Sequence, residues 1–252
     1  MLLGYARAPV LFGRVAPFAA LCFTVLTILV LIGNLERPGR FMRIMFRPNP
    51  SSWLVWGTWI LIIFSITVLF WLATGLLSAE DLLAQVLWPG IISSALAAGY
   101  SAFLLAQARA RDLWRSPQLF PHLIVQAFLA GSALLSLGAL YERSGAVLAL
   151  LLRCVLAGLI AHGILVLIEM AFPRGGDGAG AVHYLIHGPL AERFWFAAVF
   201  GGIAAPIYLL AYYFARADSG SAVPLLAAVV SLLGVLAYDD CYMRAGQALP
   251  LS

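Results

Sequence analysis

The sequence predicts an all-α protein, a polytopic transmembrane bundle of about seven helices, and three observations carry that prediction. Hydrophobic residues make up 63% of the chain and charged residues 10%, whereas a soluble domain of this size carries roughly a quarter of its residues charged. Apolar runs recur along the whole chain, each close to the roughly 20 residues with which a helix crosses a hydrocarbon core of about 30 Å. Nothing alternates apolar and polar residues in the roughly ten-residue segments of a membrane β-barrel. Helices follow because a backbone in lipid must satisfy its own N–H and C=O groups. Residues 1–252 are read as a single integral membrane domain.

The first run is Val15–Gly33. Met1–Pro9 before it is too short and interrupted for the apolar part of a signal peptide, so this run is read as a retained helix. Asn34–Ser52 is a loop holding Arg37, Arg40, Arg43 and Arg47 with three prolines. Its Arg47-Pro48-Asn49-Pro50-Ser51-Ser52 segment stops any helix, and Ser51 or Ser52 is placed to cap the next. That next run, Trp53–Leu77, opens with Trp53 and Trp56, residues of an interfacial aromatic belt. The third, Gln85–Ala108, carries Ser93, Tyr100 and Gln107 at sevenfold spacing, a polar stripe along one helical face. His122–Tyr141 is the fourth and Val147–Met170 the fifth. Phe172–Pro189 holds GGDGAGA, then His183 and His187. The glycine run lacks the Lys-Ser/Thr of a phosphate loop and follows no strand, so it reads as a flexible linker. Leu190–Phe214 is the sixth run, broken by Pro206 after Gly201-Gly202, and Val223–Tyr238 is the seventh.

All 15 basic residues are arginine and the net charge is +4. The arginines cluster in short loops between apolar runs, which writes membrane topology rather than a nucleic-acid surface. Loops after the first, third and fifth runs and the C-terminal tail hold Arg37, Arg40, Arg43, Arg47, Arg109, Arg111, Arg115, Arg174, Arg193 and Arg244; the other side holds Arg7, Arg14, Arg143 and Arg216. The ten-to-four split predicts a cytoplasmic C-terminus and an N-terminus outside. Cys22, Cys154 and Cys241 lie too far apart for a CxxC pair and read as packing residues.

Ionisable groups inside a membrane helix are functional candidates by default. The fifth run has Arg153, His162 and Glu169. At about 100° per residue, His162 and Glu169 share a face and Arg153 points the other way. One reading makes His162 and Glu169 part of a proton or quinone path. The other makes His162 an interhelical hydrogen-bonder and Glu169 an interfacial carboxylate beside Arg174. A haem needs axial histidines within the membrane; here only His162 lies inside a run, with His122, His183 and His187 at ends or in the loop. No cysteine set suits an iron–sulfur cluster. The chain therefore reads as having no redox centre of its own: no haem, no cluster and no metal site.

Three segments together resemble a known family: NLERPGRFMRIMFRPNPSSWLVWGTWIL (Asn34–Leu61), GYSAFLLAQARARDLW (Gly99–Trp114) and the tail RAGQALPLS (Arg244–Ser252). They are similar to the NrfD/PsrC-like membrane subunits of polysulfide reductase and its relatives. The resemblance implies a membrane anchor that passes electrons between menaquinone or ubiquinone and a ferredoxin-like iron–sulfur subunit, which serves a molybdopterin catalytic subunit. It makes the chain a subunit of an oxidoreductase rather than an enzyme by itself. Tyr100, in Gly99-Tyr100-Ser101-Ala102, matches the family's quinone-site tyrosine, with Ser93 on the same stripe. The resemblance also implies that the family's first helix, part of its quinone site, is missing here; restoring it would place the N-terminus in the cytoplasm. Asn34 stands where the family has an acid, which implies either that this proton step is lost here or that Glu36 takes it over, in a path that would also use His162, Glu169 and Arg153. Two other functions stay open: a transporter or channel, signalled by paired broken helices at the midplane, and a structural anchor without quinone binding.

Overall fold

A helix in lipid closes its own backbone hydrogen bonds, and its polar side chains must then find partners inside the protein. The computed structural model describes residues 8–33, 51–108, 111–173, 175–216, 220 and 222–248. Among them run seven helices long and apolar enough to cross a membrane: α1 Leu11–Gly33, α2 Trp53–Leu76, α3 Glu80–Ala106, α4 Leu119–Tyr141, α5 Gly145–Ala171, α7 Ala191–Ala215 and α8 Ala222–Ala248. A shorter α6, Gly175–Ile186, lies between α5 and α7, and no strand occurs among the described residues. Large apolar side chains such as Leu29, Ile66, Phe196 and Leu236 stand exposed along the helices, as lipid-facing positions do.

The chain forms two compact units, Met1–Leu104 and Leu105–Ser252. In the first, close backbone approach replaces the hydrophobic drive that lipid removes. A Cβ on Gly75 of α2 would collide with the carbonyl of Gly13 in the first turn of α1. A Cβ on Gly57 would lie 2.5 Å from the Tyr100 ring, so α2 and α3 meet through that glycine. Trp53 stacks on Phe103 with centroids 4.3 Å apart. Hydroxyls turn back onto their own helices, Thr58 donating to Leu54 O at 2.9 Å and Ser65 to Leu61 O at 2.7 Å.

The second unit is built on α4 against α5 and α7 against α8. Gly158 of α5 sits on Leu129 of α4, with room for little more than hydrogen. Gly202 of α7 and Gly234 of α8 bring their backbones together, so that a side chain on either would collide with the other helix. One end of this unit carries a cap. A 3₁₀ turn, Asp112–Arg115, lays Trp114 over Gly246 of α8. Tyr242 donates to Leu113 O at 2.8 Å, and Arg111 Nη1 to Gly246 O at 2.9 Å. Helix α6 completes the cap by burying Ala181, Val182 and Leu185.

Four expectations change. The glycine run is helical, not a linker: its apolar residues recur at helical spacing, and burying that face outweighs roughly 1 kcal/mol of helix cost per glycine. Pro206 does not break α7. It follows a π-helical stretch, Phe194–Ala204, and its missing N–H falls where the hydrogen-bond register changes. Helix α8 continues ten residues beyond Tyr238 to Ala248, because its polar residues pair: Arg244 with Asp240 at 2.9 Å, and Asp240 with Arg193 of α7 at 2.9 Å. Ser52 holds the N-cap position of α2, but its side chain makes no cap bond.

Candidate functional site

The second unit holds a chain of polar side chains drawn from three helices. His122 lies three residues into α4, His162 and Glu169 stand two turns apart on α5, and Tyr238 is on α8. Their exposures are 1% for His122, 1% for His162, 8% for Glu169 and 4% for Tyr238, so water cannot serve as their general partner. They serve each other. His122 Nδ1 is 3.0 Å from Glu169 Oε1, and His122 Nε2 is 2.7 Å from His162 Nδ1. The Tyr238 hydroxyl donates to Glu169 Oε2. Its ring packs on both imidazoles, with centroids 4.9 Å from His122 and 5.0 Å from His162.

The proton positions follow from the partners. With Glu169 ionised, both its oxygens accept, so His122 carries its proton on Nδ1 and presents Nε2 as an acceptor. His162 must then donate from Nδ1, which leaves its Nε2 a bare lone pair. That atom is buried with no hydrogen-bond partner. An unmet buried acceptor costs about 1–3 kcal/mol. The chain thus carries an unpaired acceptor at its His162 end. Helix α5 runs nine residues on from His162 to Ala171, which puts His162 about 14 Å of helix from that end. Beside the chain, Gln126 of α4 donates to Asp239 of α8 at 2.8 Å, a part-buried polar tie between those helices.

This arrangement belongs to a chain with a recognisable family. A family model, described as polysulphide reductase, NrfD, matches residues 10–250. The chain belongs to the NrfD family. It is a multi-pass membrane protein of the kind that serves as the membrane subunit of polysulfide-reductase-type complexes. Comparison with curated proteins and with solved structures brought no match.

The structure places the sequence-derived candidates unevenly in this NrfD-family chain. His162 and Glu169 do share a face, but they are joined through His122, which the sequence pattern sets at a helix end. It is instead inside α4 and fully buried. Arg153 stands apart, exposed, with its guanidinium 5.9 Å from the Phe214 ring centroid. In the first unit Tyr100 is buried with its ring on Gly57. Ser93 is buried too, but its hydroxyl donates to Pro89 O at 2.6 Å, so it has no proton to offer a ligand without breaking that bond. Glu36 lies outside the described residues, as does Arg174, which the sequence reading set beside Glu169. His183 and His187 are exposed and stacked on each other at 5.1 Å. Sequence reasoning missed His122 and Tyr238. Hydropathy ended its runs at both residues, although a helix continued one turn past each boundary brings both inside.

Proposed function

We propose that this NrfD-family chain anchors an oxidoreductase in the bacterial or archaeal cytoplasmic membrane and exchanges electrons with menaquinone or ubiquinone on behalf of a ferredoxin-like iron–sulfur subunit and a molybdopterin catalytic subunit. The observation that carries the reading is the buried His162–His122–Glu169 chain, capped by Tyr238, inside membrane-crossing helices. Oxidising a quinol releases protons as well as electrons, and intramembrane ionisable groups bonded in series suit a proton route. Quinone supplies the two-electron chemistry as substrate. The chain's own residues handle binding and protons. Tyr100, a buried phenol, is the hydrogen-bond donor for a quinone carbonyl, its ring offering an apolar face. His162 Nε2 takes a proton from within the membrane, its Nδ1–H passes to His122 Nε2, and His122 Nδ1–H passes to Glu169. Each transfer runs along a hydrogen bond already made.

The experiment is quinol turnover by the tagged complex purified from native membranes, with co-purifying chains identified by mass spectrometry. Tyr100→Phe and His162→Leu should each lower turnover by roughly a hundredfold, the lower range for loss of a proton-transfer group, while the partner subunits still co-purify. Unchanged turnover in both variants, or a chain that brings down no redox partner, overturns the proposal.

A further inference from the structure

Two cavities border Glu169, each of about 10 Å³, roughly the space that admits a single water. The inner one lies among Val166, Val182, Leu185, Phe194, Tyr238 and Tyr242, and its exposed lining is apolar. The outer one runs from Glu169 past Ser116 and Gln118 to Asp112. A water stays in a cavity when it finds two to four polar partners there. The outer cavity offers the Gln118 amide oxygen and the Asp112 carboxylate as acceptors for the water's two hydrogens, and the Glu169 carboxyl, once protonated, as a donor to its oxygen. That amide oxygen is buried without a hydrogen-bond partner, so it lacks the donor that a buried acceptor needs. The inner cavity has no equivalent unpartnered acceptor.

We infer that the outer cavity is a water site and the proton exit of this unit: one water, held by Gln118 Oε1, links Glu169 to Asp112 at the aqueous face. This deepens the proton-route reading and rests on it. Asp112 fits the surface position, being 34% exposed and 3.7 Å from Arg115. Its carboxylate is kept at the mouth by Gly175 at the start of α6, where φ is +69° and any Cβ would collide with Asp112 Oδ2. The cap of the second unit is therefore an element of the route. The step balances simply. Glu169 gives its carboxyl proton to the water as the water gives another to the Asp112 carboxylate. Asp112 then releases that proton to solvent, leaving Glu169 ionised and ready for the next. The reverse order carries a proton inward.

Infrared spectroscopy of the whole chain in native-lipid nanodiscs reads this directly and needs no quinone. The Glu169 carboxyl band is assigned by its loss in Glu169→Gln, with pH lowered until the band appears, and its exchange is timed after transfer to D₂O. Gln118→Leu and Asp112→Asn should each slow exchange by about tenfold, a barrier change of about 1.4 kcal/mol, and Gln118→Glu should restore it. Asp240→Asn, on the surface of α8, should leave it unchanged. Wild-type exchange rates in both Gln118→Leu and Asp112→Asn overturn the inference, as does a Glu169 that never takes up a proton. If exchange slows as stated while quinol turnover ignores both Tyr100→Phe and His162→Leu, the exit stands and the quinone reading falls.

Discussion

Replacing His122 by leucine removes a side chain that bonds both Glu169 and His162. It strands Glu169 Oε1 and His162 Nδ1. Replacing Glu169 by leucine strands His122 Nδ1 and the Tyr238 hydroxyl. The double variant strands only His162 Nδ1 and the Tyr238 hydroxyl, two groups where the separate changes strand four. The surplus is the coupling between the two sites. In a soluble interior each stranded group costs about 1–3 kcal/mol. Within a bilayer, polar pairs between helices average about 0.6 kcal/mol and reach about 1.7, because the unfolded chain in lipid also finds partners. The lower scale applies here, since all the groups lie on membrane-crossing helices. The surplus groups are the two ends of one pair, so the coupling is about 0.6 kcal/mol, and at most about 1.7. The assay is a double-mutant cycle on reversible unfolding of the whole chain in mixed micelles, followed by far-ultraviolet circular dichroism. Additivity to within about 0.3 kcal/mol is the behaviour of independent sites, and it would refute the hydrogen-bonded chain described above.

Four further outcomes test the packing and the boundaries of the site. Gly202→Leu forces α7 away from Gly234 of α8, where the two glycine backbones touch, and should cost about 3 kcal/mol or more in the same unfolding assay, at the upper end of overpacking. Gly131→Ala, with nothing within 4 Å of its added Cβ, should instead stabilise α4 by about 0.5–1 kcal/mol. Gly246→Ala should lift Trp114 off α8 and red-shift its fluorescence, measured against a Trp114→Phe background, because the new methyl meets the indole edge. Arg153→Leu, at an exposed position on α5, should leave quinol turnover within about twofold of wild type, well below the roughly hundredfold or greater effect of losing a proton-transfer group; a loss as large as that of His162→Leu would bring Arg153 into the route.

Why some of this was readable and the rest was not comes down to what hydropathy measures. A run of lipid-facing residues announces itself one residue at a time, so all seven crossings could be placed within a turn or two at most ends. The pairing of polar side chains is a property of two or three helices at once. Asp239, Asp240 and Arg244 look like the start of a solvated tail, and only the partners on α4 and α7, Gln126 and Arg193, explain why the helix carries them. His122 reads as a boundary residue for the same reason. Its neighbours in sequence, Pro121 and Leu123, say nothing of the carboxylate 47 residues away that receives its proton. The sevenfold spacing of His162 and Glu169 did mark a common face on α5. A spacing of two turns leaves a gap that neither side chain can close, and that gap was the legible clue to a third residue. In a bilayer such a gap must be filled by protein, so two ionisable residues seven apart on one membrane helix call for a search of the ends of neighbouring runs for the side chain that joins them.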